Sequence, residues 1–328
     1  MNSKLQDILK QTCAESPMTY RDYIETALYH PTHGYYIQKK QRVGRSAQAD
    51  FYTSESLGKV FAELVINAAQ RLLKDKDLSS YHFIEIGAEP ESSLLGQLQE
   101  HPFKKESVIR QGDPLKIPDE PIILFANEWL DALPFHRLVF LNGKWYEKAV
   151  TLNSHNDLTE TLLENPSPPI QSFVERLPST MTNGYQIDLS PETQKQIQSI
   201  ADQQWSGLVM LFDYGKTWNE MTTQMPNGSA RTYYNHKQGT DLLYEPGNCD
   251  ITFDICWDLI QETFDQNGNT QCHLQSQEAF FVNHAQDHIK KILSDSQFTF
   301  SREKQTLLEL IHPANMGQKF QTLHALRK

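Results

Sequence analysis

The sequence predicts an α/β fold built on a largely parallel, Rossmann-like sheet. Three observations carry that prediction. Short, continuous apolar runs stand at "HFIEIG" (His82 to Gly87), "PIILFA" (Pro121 to Ala126) and "GLVMLFDYG" (Gly207 to Gly215), as strands buried on both faces of a sheet require. Helical patterns flank and separate them. The chain has 328 residues, 38% hydrophobic and 22% charged, which is long enough for a sizeable core and globular in composition.

Taken in order, residues 18–30, "MTYRDYIETALYH", place apolar residues at helical spacing behind Thr19, a capping residue. Pro31 and Gly34 stop that helix. A long amphipathic helix is predicted from Leu57 to Leu73, so residues 1–79 form a mostly helical N-terminal segment ahead of the first buried strand. The α/β core then occupies 80–328. After "HFIEIG" a helix is predicted over Ser92 to Glu100, followed by "PIILFA". "LVFLNGKWYEKAV" (Leu138 to Val150) reads as a β-hairpin with Asn142-Gly143 as its two-residue turn. Residues 151–204 are polar and rich in Pro and Ser, which marks about 138–205 as an inserted hairpin and lid region.

Composition excludes several functions. The formal net charge is -11, from 41 acids against 30 bases, and nucleic-acid binding needs the opposite surplus. "IQKKQRVGR" (Ile37 to Arg45) is a dense basic stretch and reads as a solvated loop. No apolar run reaches the roughly 20 residues of a membrane span. The N-terminus lacks a secretory core and is not of the Arg-rich, acid-poor organelle-targeting kind. Cys13, Cys249, Cys256 and Cys272 show no CxxC pairing, and the twelve histidines form no ligand pattern. A cytoplasmic protein without a metal site is the expectation.

In open α/β sheets, ligands bind outside the carboxyl ends of the strands, where strand order reverses. Three strand ends carry polar or glycine residues: Glu85/Gly87, Asn127/Glu128 with Asp131, and Asp213/Tyr214/Gly215. Such residues also make ordinary turns, so the functional expectation rests on their number and on the unusual "NEWLDALPF" (Asn127 to Phe135).

That motif resembles the signature of the MidA family of class I S-adenosylmethionine-dependent methyltransferases, relatives of a mitochondrial complex I assembly factor. The resemblance runs nearly the full length. "ALYHPTHGYY" (Ala27 to Tyr36) and "DFYTSESLGKVFAEL" (Asp50 to Leu64) are similar to its N-terminal blocks. "LFDYG" (Leu211 to Gly215), "SARTYYNH" (Ser229 to His236) and "PGNCDITFDI" (Pro246 to Ile255) are similar to its later ones. The resemblance implies a class I methyltransferase core, S-adenosylmethionine as methyl donor and a protein substrate methylated on arginine. For an arginine acceptor, a carboxylate should orient the guanidinium through paired hydrogen bonds. Glu128, Asp131 and Asp213 are the catalytic candidates. Glu128 and Asp131 could equally be acids decorating a helix N-terminus, and Asp213 could only pin its turn. Glu85, Gly87, Ala88, Asn127, Phe51 and Thr53 are the candidates for holding the donor. Tyr35, Tyr36, Phe51, Tyr52, Tyr233 and Tyr234 are either a cleft wall or core.

Two departures from the family pattern stand out. Its first strand runs into E-x-G-x-G-x-G, whereas this chain reads Glu85-Ile86-Gly87-Ala88-Glu89-Pro90-Glu91. A glutamate about 5 Å from the donor's carboxylate would cost roughly 3 kcal/mol at an effective dielectric near 20, and glutamate tolerates a left-handed backbone poorly. Second, the interval from Gly87 to Asn127 is short, and the second strand with its following helix looks absent. In the family that strand ends with an acid for the donor's ribose; only Glu106 and Asp113 are near. Two readings follow: a working methyltransferase with a reduced donor pocket, or an inactive methyltransferase fold serving as a protein-binding or assembly module.

Overall fold

The structure, a computed structural model, describes residues 3–38, 58–74, 76–235, 237–267, 270–294 and 301–328. Phe51, Tyr52, Thr53 and the basic stretch from residue 39 onward lie outside the described residues. The chain divides into two compact units. The first combines Met1–Tyr52, Leu130–Lys195 and Lys216–Asp258; the second combines Thr53–Trp129, Gln196–Gly215 and Leu259–Lys328.

The second unit holds the main sheet. Its strands are β1 (His82–Ile86), β2 (Lys105–Ile109), β3 (Pro121–Asn127), β4 (Ser206–Asp213), β5 (Thr270–Ser276) and β6 (Gln321–Arg327). They lie in the order β5-β6-β4-β3-β1-β2. β2, β1, β3 and β4 run parallel, and β6 and β5 add antiparallel to that edge. The predicted α/β class with a mostly parallel sheet is the observed one.

The strand alternation of period two sorts the core. Phe83, Phe125 and Phe212 share one face, while Ile84, Leu124 and Leu211 share the other, and all are buried. The phenylalanine face is packed by α1 (Lys59–Leu72), α2 (Gln277–His284), α3 (Gln286–Ser294) and α4 (Arg302–Ile311). Phe61 of α1 meets Phe125 and Phe212 edge-on at centroid distances of 6.0 and 5.6 Å. Phe281 of α2 stacks on Phe212 at 5.6 Å. Such aromatic pairs add about 0.5–1.5 kcal/mol each beyond their buried area.

Two expectations are corrected here. The second parallel strand is present: β2 pairs with β1 from His82↔Lys105 to Ile86↔Ile109. Its sequence, "KESVI", is half polar because an edge strand has fewer neighbours to bury it; only the helix after it is absent, since residues 110–120 form turns, bends and irregular chain. The helix predicted over Ser92 to Glu100 shrinks to one 3-10 turn, Leu95–Gln97. A segment this short cannot repay helix nucleation.

The first unit is built on an antiparallel sheet. Strand His136–Leu141 pairs with Lys144–Leu152 through the predicted turn, where Asn142 and Gly143 have φ of 50° and 83°. Leu158–Leu162 and Gln186–Leu189 extend that sheet, so the stretch expected as insertion and lid supplies strands. Helix Tyr20–Tyr29 is capped by Thr19, whose Oγ1 accepts the Asp22 N–H at 3.1 Å. Strand Arg231–Tyr234 pairs with Lys237–Gly239 and Asp250–Thr252. Among the described residues no helix is long and apolar enough to cross a membrane.

Candidate active site

In the second unit the chain leaves β1 for β2 on one side and returns to β3 on the other. Strand order therefore reverses between β1 and β3, and their carboxyl ends flank the place where such sheets bind ligands. Gly87 follows β1. Its φ is +84°, its N–H donates to Ile109 O at 3.0 Å, and a Cβ there would sit 3.1 Å from the Trp129 side chain. The first motif needs its glycine because the second motif's tryptophan packs on it.

The rest of the turn behaves differently from its expected form. Ala88 is buried, Glu89 half-buried, and Pro90 and Glu91 exposed. Neither Glu89 nor Glu91 has a positive φ, so the anticipated conformational cost of replacing those glycines does not arise. The turn is braced from within instead. Glu85, on the phenylalanine face and 2% exposed, accepts the Leu94 N–H at 2.8 Å. Arg110, just past β2, donates from Nε to Glu89 O at 3.3 Å and from Nη2 to Ser92 O at 3.0 Å. Asp113 turns back to the same strand end, where its Oδ2 accepts the Arg110 N–H at 2.9 Å. Nothing in the sequence marks Arg110, because the half-polar strand before it is not recognisable as a strand.

At the end of β3, Asn127 donates from Nδ2 to Glu128 Oε1 at 3.0 Å. Among the described residues its Oδ1 is buried with no hydrogen-bond partner. Glu128 has φ of 50° and its N–H donates to Phe212 O at 2.9 Å. A left-handed glutamate is strained, and such strain concentrates at functional sites. Asp213, buried at the end of β4, accepts the Tyr214 N–H at 2.8 Å. The sheet thus gathers Glu85, Gly87, Ala88, Asn127, Glu128 and Asp213 at the ends of neighbouring strands.

Asp131 and the described aromatic candidates, Tyr35, Tyr36, Tyr233 and Tyr234, belong to the first unit. Asp131 is buried, and its carbonyl accepts the Phe253 N–H at 3.2 Å. Tyr36 stacks on Tyr29 at 5.3 Å and donates to Asp250 Oδ1 at 2.9 Å. Burial first, and the Asp250 charge second, push the Tyr36 phenol well above its ordinary pKa, so it remains a donor. Arg231 donates to Asp254 Oδ1 at 2.6 Å and to Tyr233 Oη at 3.2 Å. Burial alone would lower its pKa; Asp254, then Tyr233 and Asp131, outweigh it and keep the guanidinium charged. Tyr35 is core, 1% exposed. Asp250 was not among the sequence candidates, although it lies in one of the quoted blocks.

The site's chemistry fits an S-adenosylmethionine-type donor. The orphaned Asn127 Oδ1 is an acceptor for an ammonium group, and Gly87 leaves the strand end without a side chain. Comparison with known proteins agrees. Residues 58–275 match the model of a family of S-adenosyl-L-methionine-dependent methyltransferases. The mitochondrial protein arginine methyltransferase NDUFAF7 homolog of Drosophila melanogaster is 23% identical, over 94% of this chain and 81% of its own. Its Caenorhabditis elegans counterpart is 27% identical, over 73% of this chain and 66% of its own. A crystal structure from Burkholderia thailandensis, bound to S-adenosyl-homocysteine, superposes with a TM-score of 0.87 at 20% identity, covering 99% of this chain and 92% of that one; at that identity the likeness speaks for the fold.

The cytoplasmic expectation is overturned by the same comparison, because these relatives are mitochondrial proteins. The match spans well over half the chain, and this protein belongs to the S-adenosyl-L-methionine-dependent methyltransferases.

Proposed function

We propose that this methyltransferase transfers its methyl group to an arginine side chain of a protein, with Glu128 as the acceptor-orienting catalytic residue. The observation that carries the proposal is the strained Glu128, held at φ 50° on the end of β3 with Oε1 already oriented by Asn127 Nδ2. The names of the fly and nematode relatives, protein arginine methyltransferases, support the same acceptor.

When bound, S-adenosylmethionine supplies a methyl activated by its sulfonium. The main chain at Gly87 and Ala88 and the Asn127 Oδ1 would hold its methionine end, and Asp113 its ribose. Phe51 and Thr53, which the family resemblance suggests for donor binding, lie outside the described residues. Glu85 and Asp213 position the turns that carry these groups, while Asp131, buried in the first unit, has no step in this reading. Glu128 does two things. Its carboxylate takes paired hydrogen bonds from the guanidinium, which fixes one nitrogen for in-line attack. It also offsets the repulsion between two cations. With the donor bound, Glu128 would receive the proton shed by the methylated nitrogen and pass it to water.

The test is incubation with methyl-labelled S-adenosylmethionine and arginine-bearing protein acceptors, then amino-acid analysis. Label in methylarginine is the expected result; label confined to another residue type overturns it. Glu128→Gln should lower turnover about a hundredfold, roughly 2.7 kcal/mol of barrier, while leaving S-adenosyl-homocysteine affinity within about threefold. Wild-type turnover in that variant would remove Glu128 from the role.

A further inference from the structure

We infer that Arg110 is a positioning residue for the methyl donor: its guanidinium staples the turn after β1 and so performs the shaping that two further glycines would otherwise perform. The inference concerns the donor side and does not depend on the acceptor being arginine.

The argument starts from what the turn lacks. Gly87 is the only residue between Ile86 and Leu95 with a positive φ, so the path through Ala88, Glu89, Pro90 and Glu91 is made from ordinary backbone. Such a segment has no intrinsic preference for the one path that brings its backbone alongside a ligand. Something must hold it. The Glu89 O accepts the Ser92 N–H at 3.2 Å and closes a tight turn. Arg110 then grips both residues of that turn, Nε on Glu89 O and Nη2 on Ser92 O. Two nitrogens of one planar fork reaching two carbonyls three residues apart define a path in a way that a point charge cannot.

Arg110 is itself anchored. Its N–H donates to Asp113 Oδ2, and the Asp113 N–H returns to Arg110 O at 3.0 Å. One residue earlier, Ile109 O takes the Gly87 N–H. The end of β2 is therefore tied to the turn at Gly87, Glu89 and Ser92, while Glu85 secures Leu94 from beneath. The charge is suited as well. A turn carrying Glu89 and Glu91 would repel the carboxylate of a donor's methionine end, and a guanidinium on its carbonyls lowers that repulsion. Where the family resemblance implies an acid ending the second strand, this chain places a base whose work is to hold the turn, with the acid displaced three residues to Asp113.

The experiment uses the full chain and S-adenosyl-homocysteine as probe. Arg110→Ala should weaken binding by calorimetry about tenfold, as expected for losing two charge-assisted hydrogen bonds at a half-exposed site. Amide hydrogen exchange over residues 88–94 of the unliganded protein should accelerate, with exchange in β3 and β4 unchanged. Arg110→Lys keeps the charge and guards against a folding failure. It should recover little, because one ammonium cannot span both carbonyls. A role confined to stability would lower the melting temperature and leave affinity intact in protein still folded at the titration temperature. Unchanged affinity in both variants overturns the inference, and so does full rescue by lysine.

Discussion

At Gly87, backbone conformation and packing demand the same residue: a φ of +84° and the Trp129 side chain 3.1 Å from where a Cβ would stand. Gly87→Ala should therefore cost about 1–2 kcal/mol of stability from the left-handed backbone alone and weaken S-adenosyl-homocysteine binding by displacing Trp129. Denaturant melts and calorimetry would check both. The neighbouring glutamates behave oppositely. Neither occupies a left-handed conformation, so Glu89→Gly and Glu91→Gly should bind the product no more tightly than wild type, since added chain entropy of about 0.5–1 kcal/mol each works against the turn. Tighter binding would show that their charge, not their conformation, matters. Glu128 is the strained member of the site. Glu128→Gly should raise stability by about 1 kcal/mol while abolishing turnover, a trade expected where strain serves function.

At the scale of elements, the antiparallel half of the sheet carries a device the site does not use. His324 of β6 stacks on His273, its direct partner in β5, at 5.1 Å, and meets His284 of α2 at 5.3 Å. Burial first, then His284 and His273, pull its pKa down from 6.5 to about 4. The unfolded chain takes up a proton near pH 6.5 that the folded chain refuses until about pH 4. Stability is accordingly complete above pH 6.5 and falls as pH drops through that window, by about 3 kcal/mol at its foot. Melting temperature measured from pH 7.5 to 4.5 should show this slope, and His324→Gln should flatten it; an unchanged slope would place the acid sensitivity elsewhere. β2 teaches a different lesson. Its polar "KESVI" pattern hid a genuine strand, because edge position is a property of the sheet and leaves little trace in five residues.

For the whole molecule, donor binding should appear as linkage. A ligand held only by the folded second unit stabilises it by about 2.7 kcal/mol at a hundredfold excess over Kd. Melting temperature should rise with the logarithm of S-adenosyl-homocysteine concentration, and no shift at saturating ligand would contradict the donor site. The two units are interleaved along the chain, so neither can be read from a contiguous stretch. That explains which features were legible. The buried strands around Ile84, Leu124 and Leu211 announce themselves, because burial on both faces demands unbroken apolar runs. Thr19 and Asn142-Gly143 announce the helix and turn they make for equally local reasons. The sequence by itself thus determined the fold class and the family. Tertiary structure decided the rest. It set Asp131 in a different unit from Glu128 three residues away, paired β2 with β1, and closed Arg110 onto carbonyls some twenty residues earlier. These are long-range pairings, and hydrogen-bond geometry between distant segments exists only once the sheet has aligned them.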